Sequence, residues 1–176
     1  MIKLINGKGQ LGTELAEQLK TFKCDEKKDI LIYHTWNVWD KTENAQVEEY
    51  EKFTKFVDEN KNKVIVFIST AVNNKSFYLT YKRKAEQYLI DNYDDYLIVL
   101  LPNMIGKGIC QKFRDENVEP HGIICIGTRK EYTKTLLLFL EMYLEERIGK
   151  IRTVTGFYVP ANIVKELILF GKDDKQ

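Results

Sequence analysis

The chain begins MIKLINGKGQLG, residues 1–12, and this stretch decides the fold. Residues 2–6 form a short apolar run that Gly7 ends, and residues 10–20 then place Leu11, Leu15 and Leu19 at helical spacing. The pattern predicts a strand, a tight turn and a helix, with three glycines in the spacing GxGxxG at the turn.

Each glycine of this turn has a separate physical use in that context. Gly7 permits the tight turn, Gly9 removes a side chain that would block a pyrophosphate, and Gly12 lets the helix pack closely on the strand. Free N–H groups and the positive end of the helix then face the phosphates. The alternative is an ordinary glycine-rich turn between a strand and a helix.

The strand–helix unit repeats along the first hundred residues. Further strands are predicted at 29–34 (DILIYH), 63–68 (KVIVFI) and 96–101 (YLIVLL), with helices at 46–60 and 81–92. Apolar strands that alternate with helices are typical of a parallel sheet covered on both faces. The last third is less regular, and we predict strands at 123–126 and 150–158 and helices at 130–146 and 161–170.

Composition excludes several classes of protein. The 176 residues carry 27 Lys and Arg against 26 Asp and Glu, which gives no electrostatic reason to expect a nucleic-acid or membrane-surface partner. No apolar run is long enough to span a membrane, and Gly and Lys interrupt the N-terminal stretch where a signal peptide is apolar, so we expect a cytoplasmic protein.

The cysteines and histidines indicate no metal site. Cys24, Cys110 and Cys125 are widely spaced without a CxxC pattern, which favours reduced thiols over disulfides or zinc ligands. His34 and His121 have no acidic or cysteine partner at ligand spacing, so we expect each to be a hydrogen-bonded structural residue.

A second group of polar residues follows the third strand: Ser69, Thr70, Tyr78 and Lys82. Tyr78 and Lys82 are four residues apart, so a helix that includes Tyr78 places the ammonium near the phenol. A nearby cation lowers a tyrosine pKa, which suits a general acid/base, and Thr70 is placed to hydrogen-bond the same substrate oxygen. The alternative is that Tyr78 packs in the core while Lys82 lies on a solvated helix face.

Several stretches together resemble the extended short-chain dehydrogenases/reductases, the superfamily of NAD-dependent epimerases/dehydratases and dTDP-4-dehydrorhamnose reductases. They are INGKGQLG (5–12), FISTAV (67–72), YLTYKRKAEQYL (78–89, like the YxxxK helix), LLPNMIGKG (100–108) and TVTGFYVPANIVKELI (153–168). The resemblance implies a Rossmann-like three-layer α/β fold with a mostly parallel sheet, completed by a small C-terminal α+β region of the substrate-binding type.

The resemblance also implies roles for individual residues. Thr70 would polarise the substrate, Tyr78 would be the catalytic acid/base, and Lys82 would tune Tyr78 and bind the nicotinamide ribose. Residues implied to bind NAD or NADP, which are not distinguished, are Gly7, Gly9, Gln10, Leu11, Gly12, Lys82, Pro102 and Asn103.

Compared with that family, the chain is shortened on the adenosine-binding side. The second strand here, DILIYH, resembles the family's fourth, so two strands, their helix and the usual ribose and adenine contacts are missing. Asp25 and Glu26 lie in the connecting loop and are not taken as substitutes for the ribose ligand. One sheet edge should therefore be newly exposed or covered by something else.

Two functions are compatible with these features. The first is an NAD(P)-dependent oxidoreductase, reductase or epimerase acting on a nucleotide-linked sugar, organised as a dinucleotide-binding region (1–108) and a substrate-type region (109–176) in one compact unit. The second is a non-catalytic dimerisation or regulatory module. The resemblance also implies a homodimer through the helices at 46–60 and 80–93, a contact with which the aromatic residues there, Tyr50, Phe53, Tyr88 and Tyr93, are compatible.

Overall fold

The computed structural model describes residues 1–24, 27–106, 122–147 and 149–164. Its elements follow in chain order: β1 (Ile2–Ile5), α1 (Gln10–Leu19), β2 (Ile30–Tyr33), α2 (Glu43–Asp58), β3 (Val64–Thr70), α3 (Phe77–Asn92), β4 (Tyr96–Leu101), β5 (Asn103–Met104), β6 (Ile123–Gly127), α4 (Arg129–Glu146), β7 (Ile151–Thr153), β8 (Phe157–Pro160) and a 3₁₀ turn at Ala161–Ile163.

Five of the strands form one parallel sheet in the order β1-β2-β3-β4-β7. A small mixed sheet, β5-β6-β8, pairs β6 with β5 in parallel and with β8 in antiparallel orientation. The parallel sheet predicted from the alternating pattern and the Rossmann-like fold implied by the family resemblance are both confirmed. Within the described residues β1 lies at an edge of the sheet, as the shortened adenosine side predicts.

The strand register places the candidate site at the carboxyl edge of the sheet. Ile5 lies beside Tyr33 and Tyr33 beside Phe67, so Asn6 and His34 leave their strands at the same level. β3 continues for three more residues and ends at Thr70, which pairs with Leu101. The loops that follow β1, β2, β3 and β4 therefore meet along one edge, where open α/β sheets bind their ligands.

The two faces of the large sheet have different cores. The face covered by α1 and α4 is mostly aliphatic, with fully buried Leu15, Val66, Leu97, Val99 and Leu136 among its members. The face covered by α2 and α3 is rich in aromatic rings, and those packed there include Tyr33, Trp36, Phe53, Phe67, Tyr81, Tyr93 and Tyr96. Burying such side chains stabilises the fold by about 1.5–3 kcal/mol each.

Two sequence predictions need correction. Residues 150–158 do not form one strand: β7 joins the large sheet and β8 the small one. The break has a steric cause, because a Cβ on Gly156 would lie 2.5 Å from the backbone oxygen of Ile126, so the chain passes close against β6 here. In addition, α3 begins earlier than predicted, at Phe77, with the Ser76 hydroxyl accepting a hydrogen bond from the Leu79 N–H.

Some sequence predictions fall outside the described residues. These concern Asp25 and Glu26, the histidine at 121, the cysteine at 110, the boundary at 108/109 and the helix at 161–170 beyond its first residues. Among the helices that the structure describes, none is long and apolar enough to cross a membrane.

Candidate functional site

The glycine turn between β1 and α1 is open at one glycine and tightly packed at another. A Cβ on Gly9, which precedes the first residue of α1, would meet nothing within 4 Å. A Cβ on Gly12 would lie 2.3 Å from Nε2 of His34 and 2.8 Å from the carbonyl carbon of Gly7. Gly12 thus allows the close packing that was predicted, and the space beside Gly9 is open within the described residues.

His34 follows β2 and packs directly against this turn. Its Nε2 is buried and has no hydrogen-bond partner in the described part of the chain. Burial, together with the charge of Lys82, lowers the pKa of His34 below its usual value, so the imidazole is held neutral. The prediction of a fully hydrogen-bonded histidine is therefore wrong, and no pattern in the sequence signals the unpartnered nitrogen.

Gln10, the first residue of α1, joins the glycine turn to the loop that follows β5. Gly106 in that loop has a φ of +126°, and a Cβ there would lie 2.6 Å from Oε1 of Gln10. Of the two residues implied to lie near the nicotinamide, Pro102 separates β4 from β5, and Asn103 belongs to β5. The Asn103 side chain donates to the Cys125 carbonyl at 3.3 Å, so its amide holds the small sheet together.

Lys82 is the most unusual side chain of the site. It is 4% exposed, its Nζ donates to the Ile68 carbonyl at 2.8 Å, and it lies over the rings of Phe67 and Trp36 at 4.8 and 5.0 Å from their centroids. Burial lowers the pKa of Lys82 to about 7. The reading of this lysine as part of a solvated basic run is wrong.

Tyr78 lies in the first turn of α3, and its ring centroid is 5.9 Å from Nζ of Lys82. The predicted Tyr–Lys proximity is therefore present. Its electrostatic consequence differs from the expectation, because burial raises the pKa of Tyr78 to about 12 and outweighs the opposing effect of Arg83. The phenol is thus held protonated, and its hydroxyl makes no hydrogen bond within the described residues.

Thr70 ends β3 and is held in place by a network that the sequence analysis missed. Its carbonyl accepts a hydrogen bond from Nη2 of Arg83 at 2.9 Å, and its hydroxyl accepts one from the Val72 N–H at 3.2 Å. Arg83 also pairs with Glu86, whose carboxylate accepts a short hydrogen bond from Ser69. The signal available in the sequence was the i,i+3 spacing of Arg83 and Glu86.

The loop after β2 is fixed by one buried glutamine. Gln46 is fully buried, accepts from the indole N–H of Trp36 at 2.8 Å and donates to the Asn37 carbonyl at 2.9 Å. Trp36 is thereby locked in the aromatic core beneath Lys82, whereas Trp39 is 77% exposed. The two tryptophans that follow β2 therefore have opposite environments.

His34 links the two parts of the site. Its Nε2 lies against Gly12, and the Lys82 charge contributes to its lowered pKa. The structure therefore brings the glycine turn, Lys82 and Tyr78 to one region at the carboxyl edge of the sheet. Within the described residues no cluster of His, Cys, Asp or Glu is suited to holding a metal ion, and Cys24 and Cys125 are free thiols.

Solved structures with a similar fold include two dTDP-4-dehydrorhamnose reductases. The chain is similar to a dTDP-4-dehydrorhamnose reductase from Clostridium acetobutylicum, with a TM-score of 0.71 and 16% identity over 99% of this chain and 81% of that one. It is also similar to the Bacillus anthracis dTDP-4-dehydrorhamnose reductase in complex with NADP, with a TM-score of 0.66 and 13% identity over 97% and 80% of the two chains.

A third similar structure is the Bordetella bronchiseptica enzyme WbmG in complex with NAD and UDP. Its TM-score is 0.64, with 13% identity over 97% of this chain and 77% of that one. No protein-family model and no curated protein matches the sequence. The chain thus has the fold of the extended short-chain dehydrogenases/reductases, the NAD- and NADP-binding reductases and epimerases that the sequence resembles, at low sequence identity.

Proposed function

We propose that the protein is an NAD(P)-dependent reductase, oxidoreductase or epimerase that acts on a nucleotide-linked sugar. The observation that carries this proposal is the position of Lys82, buried beneath Tyr78 at the end of β3 and connected through His34 to an open glycine turn. Burying a lysine side chain is costly, so the position of Lys82 beside an unbonded phenol supports a chemical use.

The glycine turn fits the diphosphate of a dinucleotide. The space at Gly9 lets an anion approach the backbone, and the first N–H groups of α1 have no partner within their own helix. Gly7, Gly9, Gln10, Leu11 and Gly12 would hold the diphosphate, and Lys82, Pro102 and Asn103 would lie toward the nicotinamide. A bound nicotinamide supplies or accepts the hydride.

The chain's own residues supply the proton. Tyr78, with its pKa raised to about 12, holds its proton at neutral pH and donates it to a substrate oxygen placed between its hydroxyl and that of Thr70. Lys82, with its pKa lowered to about 7, stabilises the phenolate that forms by donating from Nζ. Arg83 and Glu86 keep the Thr70 backbone in position for this contact.

The nucleotide-linked sugar is proposed by analogy with the reductases of similar fold and with WbmG, which binds UDP. Residues 1–108 would then carry the dinucleotide and residues 109–176 the substrate. Calorimetry with NAD(H) and NADP(H) at millimolar concentration tests cofactor binding directly. Absence of heat with all four would remove the enzyme proposal.

The catalytic role has its own test with a matched control. Tyr78→Phe removes the unbonded hydroxyl and should abolish turnover, whereas Tyr81→Phe removes a hydroxyl that donates to Glu43 at 3.3 Å and should leave turnover nearly unchanged. Equal rates in Tyr78→Phe and the wild type would contradict the proposed role of Tyr78.

One observation favours a second candidate, a non-catalytic module. β1 lies at the sheet edge in the described residues, so the strands that carry the adenosine contacts in the resembled family are missing beside it. A module of this kind would show neither cofactor binding nor turnover, and its Tyr78→Phe variant would behave like the wild type in every assay. The two candidates are therefore separated by the experiments above.

A further inference from the structure

The outward face of α4 carries two exposed apolar side chains in the middle of the helix. Leu138 is 52% exposed and Met142 is 37% exposed, whereas Leu136, Leu140 and Tyr143 on the opposite side are buried in the aliphatic core. We call this exposed surface, formed by Lys130, Lys134, Leu138, Glu141, Met142 and Glu145, the α4 outer face.

Charges on the α4 outer face are segregated by sign. Lys130 and Lys134 lie in the first half of the helix, and Glu141 and Glu145 in the second half, followed by Glu146. This order opposes the helix dipole, because cations are unfavourable near an N-terminus and anions near a C-terminus. Within the described residues none of these five side chains forms an ion pair.

The same order of charges is self-complementary in an antiparallel pair of helices. With Leu138 on a two-fold axis, Lys134 lies four residues before the axis and Glu141 three residues after it, so each lysine faces the glutamate of the other copy. Lys130 and Glu146 lie eight residues before and after the axis and meet in the same way. Each dipole end then also faces the opposite end of the other helix.

A groove beside the α4 outer face offers space for apolar side chains of the second copy. It lies between α1 and α4, has a volume of about 440 Å³, and is lined in part by Phe22, Leu137 and Leu138. Polar residues from both helices, Glu14, Gln18, Lys130 and Lys134, complete its lining. An apolar floor with charged sides is the usual arrangement at a helix–helix contact.

The α2 and α3 side, where the family resemblance implies a dimer contact, differs from the α4 outer face in how its lysines are paired. Phe53 and Tyr93 are buried within the chain, and the rings of Tyr50 and Tyr88 pack on each other at 6.4 Å. The exposed lysines of α2 already have partners on their own helix, with Lys52 at 3.1 Å from Glu49 and Lys55 at 4.0 Å from Glu59. Within the described residues the lysines of the α4 outer face thus lack ion-pair partners, whereas Lys52 and Lys55 have them.

We propose that two copies of this chain associate through the α4 outer face, packed antiparallel about a two-fold axis at Leu138. The dimer does not depend on the proposed enzyme function. One helix pair buries less than the roughly 800 Å² per partner of a standard interface, so we expect a dissociation constant on the order of 10–100 µM. Salt weakens the association because the charge pairs are exposed.

Sedimentation equilibrium of the full chain from about 10 µM to 1 mM tests the proposal in the range expected for an interface of this size. The wild type should be dimeric at the upper end. Lys134→Glu places like charges opposite each other twice and should weaken association about tenfold. The double variant Lys134→Glu/Glu141→Lys restores opposite charges across the axis and should recover the dimer.

Two further variants serve as a control on another helix and as a disruption of the proposed contact. Lys55→Glu makes the same charge change on α2 and should leave association unchanged, and Leu138→Glu should abolish it while far-ultraviolet circular dichroism stays native. A wild type that is monomeric throughout overturns the proposal. So does a double variant no better than Lys134→Glu, or a Lys55→Glu variant that weakens association equally.

Discussion

The candidate site joins two regions that are supported in different ways. The α3 region lies on β3, whose seven residues are all buried, and Lys82 and Arg83 of α3 donate hydrogen bonds to β3 carbonyls. The glycine-turn region rests on β1, an edge strand of four residues of which none is fully buried. Lys82 and Thr70 are thus held in place by the core, while the glycine turn is held from one side only within the described residues.

The first prediction compares how much a side chain of β3 and a side chain of β1 contribute to the free energy of unfolding. Phe67→Ala on β3 removes a fully buried ring packed on Phe53 at 4.4 Å and should lower the free energy of unfolding by about 3–5 kcal/mol. Leu4→Ala on β1 removes a half-buried side chain and should cost about 1–2 kcal/mol. Denaturant unfolding of both variants gives the comparison, and equal losses would show that the two regions are equally supported.

A second prediction separates packing from ligand approach within the glycine turn. Gly12→Ala drives a Cβ to 2.3 Å from His34 and should cost about 3 kcal/mol by overpacking. Gly9→Ala meets nothing within 4 Å and should stay within about 1 kcal/mol of the wild type, while its methyl group obstructs an anion at the turn.

Thermal unfolding and nucleotide titration of both variants test these expectations. A Gly9→Ala protein that is stable but binds NAD(P) as tightly as the wild type would contradict the assignment of that space to the diphosphate.

The third prediction concerns pH and the two buried bases. Because the folded pKa of Lys82 is lowered to about 7, the folded protein binds fewer protons than the unfolded chain between pH 7 and the usual lysine pKa of about 10.4. Stability contributed by this group therefore rises with pH across that window, by at most about 1.4 kcal/mol per pH unit. The pKa of His34 is also lowered, so below the usual histidine pKa the unfolded chain binds more protons than the folded protein. Stability therefore falls as the pH falls through that range.

Unfolding measured from pH 5 to pH 10 checks the sign of this dependence. Lys82→Met should flatten the rise above pH 7 and also reduce the acid-side loss, because the Lys82 charge contributes to the lowered pKa of His34. His34→Gln should reduce the acid-side loss and leave the rise above pH 7 in place. A wild type whose stability falls between pH 7 and pH 9 would contradict the burial of a neutral lysine.

The fourth prediction has the smallest expected effect on stability. It concerns Arg83, Glu86 and Ser69, whose contacts hold the Thr70 backbone in place. Glu86→Gln keeps the shape of the side chain and its contact with Ser69 but removes the charge that pairs with Arg83, at a cost of about 1 kcal/mol in stability. Turnover should fall more than the substrate KM changes, because Thr70 loses its positioning but not its hydroxyl. Steady-state kinetics of both variants test this expectation. Glu51→Gln makes the same change at an exposed position of α2 and should leave kcat and KM unchanged.

Most of the large sheet was predictable because its strands are continuous apolar runs separated by amphipathic helices. DILIYH, KVIVFI and YLIVLL all became neighbouring parallel strands, and the edge position of β1 followed from the missing segment. The split of residues 150–158 was not predictable, since it depends on the close approach of Gly156 to β6.

The site was predictable in position but not in electrostatics. The spacing of Tyr78 and Lys82 indicated their proximity, yet the run Lys82-Arg83-Lys84 is typical of a solvated helix face. In the structure α3 packs with Lys82 over Phe67 and Trp36. Burial then dominates both pKa shifts, and the sequence carries no measure of burial at single atoms.

The order of strands in the large sheet has a consequence for synthesis of the protein. β1, β2, β3 and β4 are neighbours both in sequence and in space, so each new strand can pair with the one completed just before it. Such a sheet is suited to stepwise growth while the chain leaves the ribosome, with contacts of modest sequence separation. α4 and β7 are the last elements to join the large sheet, with β7 pairing to β4. Until residue 153 has emerged, the partly synthesised chain would therefore expose the edge of β4 and part of the aliphatic face.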